Sequence, residues 1–212
     1  MIRRHAALLI ALVLGLLVGT SHHADANDDL AGARQFIGDL ANRSIATMTT
    51  KGISDAERTR NFRALFVQAV DLPTIGRFAL GRHWRGATPE QQQEFIALFS
   101  ELMVLTWSAR FKDAADTVTF QVTDAKTDTD QGVAVESRIL REKQAPVQVL
   151  WRLRSTEGGF RIADLVVEGT SMQFQYRDEY AAVINQGGGK IDGLLAALRQ
   201  KVAQLSTTQV AN

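Results

Sequence analysis

The sequence predicts an α+β domain in which helices come first, an antiparallel sheet follows, and further helices close the chain. Three observations predict this order. Apolar residues recur at helical spacing over residues 28–115, alternate with polar residues over 118–166, and return to helical spacing after residue 171. Helices and strands segregated in this way are typical of a layered α+β architecture. We expect a curved sheet of four strands, with one face packed against the longest helix.

Three helices are predicted before the longest one. The first covers residues 28–50, where apolar residues recur at helical spacing. The second begins at Ser54, whose hydroxyl can cap the free N–H groups of the first turn. The third begins after Asp71 and is followed by Gly81, a residue suited to the left-handed conformation that often ends a helix.

The longest helix begins at Thr88-Pro89, where threonine caps, proline takes the first helical position, and Gln91 completes a capping box. The helix continues to about residue 115. Its largest apolar residues recur at steps of four, and each step turns about 40° further round the helix axis. They are Phe95, Phe99, Met103, Trp107 and Phe111. Because this stripe covers a broad arc, it suits a curved sheet wrapped around the helix.

Four strands are predicted over residues 118–122, 133–139, 147–153 and 160–166, where apolar and polar residues alternate. The intervening segments have the length of hairpin loops, which predicts an antiparallel meander. A helix over residues 171–185 follows and is broken by the glycines at 187–189. A final amphipathic helix leads to Leu205, beyond which we expect a disordered tail over 206–212.

The N-terminus predicts export. Arg3 and Arg4 precede an apolar run over residues 6–19, and small residues at Ala24 and Ala26 suit signal-peptidase cleavage. The apolar run is shorter than the ~20 residues that a membrane-spanning helix needs. We therefore expect a cleaved signal peptide over residues 1–26, a single mature domain over 27–205, and a periplasmic location.

Composition excludes several classes of function. Removing residues 1–26 leaves 22 basic and 22 acidic residues, whereas a dedicated nucleic-acid-binding domain normally carries a basic surplus. The chain has no cysteine, and His83 is its only histidine after residue 26, so thiol catalysis and multi-histidine metal sites are excluded in the mature domain. The sequence identifies no catalytic residue, metal ligand or cofactor.

The segment Arg82-His83-Trp84-Arg85 is open to two interpretations. It is either an anion or headgroup site, or a structural joint at which arginines offset the dipole of a helix end and Trp84 packs beneath. The sequence favours the joint, because helix ends commonly carry such residues. The apolar stripe of the longest helix is also ambiguous, since a solid core and the lining of an apolar ligand cavity need the same residue types.

Two segments resemble a known family. They are VDLPTIGRFALGRHWRGATPEQQQEF (residues 70–95), in which Val70 stands where phenylalanine is usual, and WRLRSTEGGFRIADLVVEGTSMQFQYRDEY (residues 151–180). Both are similar to the MlaC-type or toluene-tolerance proteins, periplasmic lipid shuttles that are auxiliary components of an ABC transporter. The likeness covers nearly the whole mature chain. The sequence resembles a branch of this family that is associated with hopanoid biosynthesis at least as well.

The resemblance implies an NTF2-like carrier that holds phospholipid acyl chains in an apolar cavity and leaves the headgroup near solvent. Its partners would be an inner-membrane ABC transporter complex and an outer-membrane lipoprotein complex. The family has no catalytic residues to transfer, so the expected ligand contacts are placed as a face. They are Phe78, Trp84, Phe95, Phe99, Leu102, Met103, Trp107, Phe111, Phe120, Val122, Val135, Val149, Trp151, Val166, Phe174 and Tyr176.

Three alternatives remain open. The chain could carry a hopanoid or another polycyclic lipid, act as an exported NTF2-like enzyme, or serve as an adaptor without a ligand. An enzyme would need titratable groups that converge in the pocket. The predicted inward positions carry almost none, and Asp164 on the fourth strand is the chief exception.

Overall fold

The structure is a computed structural model that describes residues 21–114, 117–128 and 132–210. The basic and apolar parts of the expected signal peptide, residues 1–20, lie outside the described residues. The first helix begins at Ser21, so it includes the residues around the expected cleavage site. The boundary between residues 26 and 27 therefore stays a prediction.

Four α-helices precede the sheet, as the sequence predicts. They are α1 (Ser21–Thr49), α2 (Asp55–Ala69), α3 (Leu72–Leu80) and α4 (Pro89–Ala114). A 3-10 helix over Gly81–Gly86 connects α3 to α4, and we call it the α3–α4 joint.

The predicted helix starts are confirmed by their hydrogen bonds. At the start of α4 the Gln91 N–H donates to Thr88 Oγ1 over 3.2 Å, while the Thr88 N–H donates to Gln91 Oε1 over 3.0 Å. At the start of α3 the Thr74 N–H donates to Asp71 Oδ1 over 3.3 Å. Gly81 has a φ of 55°, as expected for a residue that ends a helix in the left-handed region.

The sheet is antiparallel, and its strands follow one another in chain order. They are β1 (Val118–Thr127), β2 (Val133–Arg141), β3 (Val147–Thr156), β4 (Gly159–Val167) and β5 (Thr170–Ser171). The expectation of four strands is therefore wrong by one. With only two residues, β5 is too short to show the alternation by which strands are recognised in a sequence.

Two helices follow the sheet, α5 (Met172–Gln186) and α6 (Ile191–Val210). Gly188 and Gly189 between them have φ values of 77° and 82°, which explains why the glycine run separates the two helices. Helix α6 continues past Leu205, so residues 206–210 are helical rather than part of the expected disordered tail.

Strand register defines an apolar face of the sheet. Val135 is paired with Trp151, and Ser137 is paired with both Val122 and Val149. Because paired residues point to the same side of a sheet, these side chains share one face.

The main core joins this apolar face to the helices. Buried residues of α1, α3, α4, α5 and α6 form one cluster with those of β2, β3 and β4. Helix α4 lies closest to α6, α3 and α2, while α1 lies against β1 and β2. The broad stripe of α4 therefore meets mainly helices, and α1 rather than α4 lies closest to the sheet, contrary to the expectation from the sequence. None of the described helices combines the length and the apolar character needed to cross a membrane.

Candidate functional site

The centre of the predicted ligand face is solid core. Phe95 and Phe99 of α4 are 0% exposed, and their rings stack at a centroid distance of 5.9 Å. Met103 and Val135 are also buried in the same cluster, and Val149 is buried outside it. The structure therefore brings the N-terminal half of the α4 stripe and residues of the apolar face of the sheet into one core.

The margin of this core consists of partly buried apolar side chains. Each of them packs against the buried cluster while part of its surface remains accessible. This combination is expected of residues that can contact an apolar ligand while they remain packed against the core. The predicted contacts that lie at this margin are Leu102, Trp107, Phe120, Val122, Trp151 and Tyr176.

Trp151 is held in place by a buried hydroxyl. Its indole N–H donates to Ser137 Oγ over 2.8 Å, and the Ser137 hydroxyl donates to the Val149 carbonyl over 3.3 Å. Phe120 packs edge-on to the Trp151 ring at 6.1 Å. Because its polar atom has a partner, the indole can present its apolar surface at the core margin in a fixed orientation.

Rings of α4 and α5 interlock in what we call the α4–α5 aromatic cluster, made of Phe95, Phe99, Tyr176 and Tyr180. The Tyr180 ring meets Phe95 edge-on at 5.8 Å, Tyr176 meets Phe99 edge-on at 5.8 Å, and the two tyrosine rings stack at 6.1 Å. Burial raises the pKa of Tyr176, although Arg110 and a hydrogen bond with Trp107 act in the opposite direction. Sequence analysis did not include Tyr180 among the site residues.

Two predicted contacts lie away from the shared face. Phe111 packs against Phe62 of α2 at 5.4 Å, in a second cluster around Met48. Val166 is paired with Leu150, which points away from the apolar face, because a register shift after Arg152 reverses the alternation of β4. The expectation that all the site residues share one face is wrong for both.

Phe78 and Phe174 form an aromatic pair nearer the surface. Their rings meet edge-on at 5.1 Å, and Phe174 is 45% exposed. The Arg177 guanidinium lies 4.6 Å from the centre of the Phe174 ring and 5.4 Å from that of Phe78. The structure does not bring this pair into the buried cluster with the α4 stripe.

The α3–α4 joint contains Trp84, the remaining predicted contact. Trp84 packs against the core, its carbonyl accepts a hydrogen bond from Gln92 Nε2 over 2.8 Å, and Arg77 lies 5.6 Å from the centre of its ring. These contacts agree with a structural joint. Arg82 and Arg85 are both exposed, and Arg82 lines a surface hollow that also contains His83, Lys190 and Asp192.

Asp164 is the chief titratable residue that the sequence places at an inward position, and its hydrogen bonds hold the fold together. Its side chain is 4% exposed, and Oδ1 accepts hydrogen bonds from the backbone N–H groups of Leu165 (2.8 Å) and Gln173 (3.1 Å). Oδ2 accepts from the Ser171 hydroxyl over 2.6 Å and lies 3.7 Å from the Arg152 guanidinium. The carboxylate thus ties β4 to β5 and to the start of α5. The next residue on β4, Leu165, is paired with Trp151 and so points to the apolar face, and Asp164 therefore points away from it.

Gly76 is a residue that sequence analysis missed. A Cβ atom there would lie 2.8 Å from Ile96 Cδ1, 3.1 Å from Phe99 Cδ1 and 3.6 Å from Phe95 Cε1. The bare backbone of α3 therefore approaches the core rings of α4. The only signal in the sequence was a glycine inside a helical pattern, which costs stability unless a close contact requires it.

Known proteins resemble this chain in sequence and in fold. The model of the family described as MlaC protein matches residues 39–200, well over half of the chain. The chain belongs to the MlaC family. The match begins within α1 and ends within α6, so it spans all five strands and the α4 stripe.

A solved structure of a phospholipid-binding protein from Ralstonia solanacearum, in complex with a phospholipid, is similar to this MlaC-family chain. The two are 24% identical and superpose with a TM-score of 0.69, over 82% of this chain and 98% of the other. At this identity the likeness shows the fold, which agrees with helices around an open antiparallel sheet.

Among the described residues, no three histidine, cysteine, aspartate or glutamate side chains are grouped as metal ligands would be.

Proposed function

We propose that this chain is a periplasmic lipid carrier that holds acyl chains at the margin of the core that α4 shares with the apolar face of the sheet. One observation carries the proposal: a margin of partly exposed apolar side chains, from Leu102 and Trp107 to Phe120 and Trp151, surrounds the buried core. Membership of the MlaC family supports it. So does the likeness to a protein that was solved with a phospholipid bound.

The energetics of such a carrier need no charged anchor. Moving an acyl chain from water into an apolar site gains ~0.8 kcal/mol per methylene group. Two chains therefore supply ample free energy to open a margin of side chains that are already partly exposed. The headgroup can then remain near solvent, which agrees with a domain whose basic and acidic residues balance after residue 26.

In the cell, we propose that the carrier moves lipid between an outer-membrane lipoprotein complex and an inner-membrane ABC transporter complex. Mass spectrometry of organic extracts from the purified protein tests the ligand. Diacyl phospholipid at about one molecule per chain is expected. Detection of a polycyclic lipid in the extract would identify that lipid, instead of phospholipid, as the cargo. Protein that is purified under mild conditions and contains no lipid would contradict the carrier function.

Leu102 and Leu105 provide a matched pair on α4 for testing where the lipid lies. Leu105 is buried, so Leu105→Ala is expected to lower the free energy of unfolding by ~2–5 kcal/mol. Leu102 is partly exposed at the core margin, so Leu102→Ala should cost clearly less than Leu105→Ala. Leu102→Trp should reduce the lipid-to-protein ratio while the protein stays folded, because the indole occupies the space of an acyl chain.

Thermal melts and lipid-to-protein ratios of these three variants are the measurements. Equal losses of stability in the two alanine variants, together with full lipid content in a folded Leu102→Trp protein, would show that the stripe at Leu102 is ordinary core. The cavity would then have to lie elsewhere.

The double variant Arg82→Gln/Arg85→Gln separates the joint from a headgroup site. Both side chains are exposed, and the α3–α4 joint is held by Trp84 and Gln92. We expect the double variant to co-purify with the same lipid content as the wild type. A folded double variant that has lost its phospholipid would instead assign the two arginines to headgroup binding.

A further inference from the structure

Tyr180 places a polar atom inside the apolar interior. The residue is 6% exposed, belongs to the main core, and contacts the rings of Phe95, Phe99 and Tyr176 in the α4–α5 aromatic cluster. Phe95 and Phe99 belong to the solid core, whereas Tyr176 lies at the core margin that the proposed function gives to the lipid. The Tyr180 hydroxyl therefore lies next to the region that the proposed function gives to the lipid.

This hydroxyl has no hydrogen-bond partner among the described residues, although its oxygen is buried. Two other buried polar side-chain atoms of the described residues lack a hydrogen-bond partner, the Nε atoms of Arg58 and Arg152. Each of these guanidinium atoms has a carboxylate oxygen within 4 Å. The Trp151 indole is paired, since its N–H donates to Ser137 Oγ, and the Tyr176 hydroxyl is not among the buried atoms without a partner. Because buried polar groups are nearly always hydrogen-bonded, an orphaned hydroxyl indicates a partner that is not part of the fold.

The surroundings select the chemistry of that partner. Burial raises the pKa of the Tyr180 hydroxyl, so it keeps its proton at neutral pH and can donate. Of the charged side chains, Glu179 is the one that acts on it. A phosphate at this hydroxyl would meet the rings of the α4–α5 aromatic cluster and lie near the Glu179 carboxylate, and burying an unpaired charge is costly. A neutral acceptor is favoured instead.

A diacyl phospholipid carries neutral acceptors beside its acyl chains, namely the ester carbonyl oxygens. We propose that the Tyr180 hydroxyl donates a hydrogen bond to an ester carbonyl of the bound lipid and so makes the carrier prefer ester-linked lipids. This inference rests on the proposed carrier function. It assigns to the ligand the one buried tyrosine hydroxyl that the described fold leaves unpaired.

The test crosses a change in the protein with a change in the ligand. A diacyl phosphatidylglycerol and its dialkyl ether analogue, with the same chains and headgroup, compete for the delipidated protein against a fluorescent phospholipid. The wild type is expected to bind the ester lipid about threefold to tenfold more tightly, the contribution of one hydrogen bond. In Tyr180→Phe this preference should disappear, because the variant loses only the hydroxyl.

Tyr176→Phe is the comparison variant, since it removes from the same aromatic cluster a hydroxyl that is not among the buried atoms without a partner. Whatever its overall affinity, Tyr176→Phe should keep the preference for the ester lipid. Equal binding of the two lipids by the wild type, or a preference that survives in Tyr180→Phe, would overturn the inference and leave the hydroxyl to a buried water. Failure of the wild type to bind either lipid would instead contradict the carrier function. The wild-type comparison needs no mutation, so it is decisive even if a variant misfolds.

Discussion

Replacing Asp164 with alanine is expected to lower the free energy of unfolding by at least about 3 kcal/mol. The substitution leaves the N–H groups of Leu165 and Gln173 and the Ser171 hydroxyl without the carboxylate that binds them. Hydrogen bonds to a charged group contribute ~1.5–3 kcal/mol each, and a buried donor left without a partner adds to the loss. Because these bonds join β4 to β5 and α5, the variant should unfold at markedly lower temperature or urea concentration.

Asp164→Asn is the matched control. The amide keeps an oxygen that can accept from the two backbone N–H groups, so its loss of stability should be clearly smaller than that of Asp164→Ala. The same pair tests the enzyme alternative. If Asp164 were a catalytic acid or base without a structural role, Asp164→Ala would melt close to the wild type. That result would contradict the structural role.

A side chain at Gly76 is expected to destabilise the fold, because the backbone of α3 lies close to the core rings of α4 there. Gly76→Leu should lower the free energy of unfolding by about 3 kcal/mol or more, because even a Cβ atom would lie 3.1 Å from the buried Phe99 ring. The Ile96 methyl, at 2.8 Å, can move aside. The Phe99 ring is fixed among Phe95, Tyr176 and Tyr180 and cannot.

Gly38 in α1 provides the control, since nothing lies within 4 Å of the place that its Cβ would occupy. Gly38→Ala should leave stability unchanged or raise it by up to ~1 kcal/mol, the difference in helix propensity between the two residues. Gly76→Ala should move the melting temperature in the opposite direction from Gly38→Ala. Parallel shifts in the two alanine variants would show that α3 and α4 are further apart than the structure places them.

Local patterns were sufficient for the elements and their order. Helix starts at Asp71 and Thr88 could be read from capping residues, because the hydrogen bonds involved join positions three apart. Gly81 could be identified as a helix end because few other residues adopt a φ of 55° easily. Alternation identified four strands and failed for β5, which has only two residues.

The predicted residues share a core where a short-range pattern decides on which side of its helix or strand a side chain lies. Phe95, Phe99 and Met103 follow one another on α4, and Val135 and Trp151 are paired on neighbouring strands, so spacing placed them correctly in one core. Spacing could not tell which of them are fully buried. Burial depends on neighbours that are distant in the sequence.

The sequence alone determined the α+β order, the spacing of the helices and strands, and the lack of thiol or multi-histidine chemistry after residue 26. Tertiary structure decided how those elements meet. A register shift in β4 turned Val166 and Asp164 away from the apolar face, and the approach of α3 to α4 made Gly76 necessary. It also enclosed the Tyr180 hydroxyl among rings from two helices. Each of these features depends on a distance between segments far apart in the chain, which local periodicity does not encode.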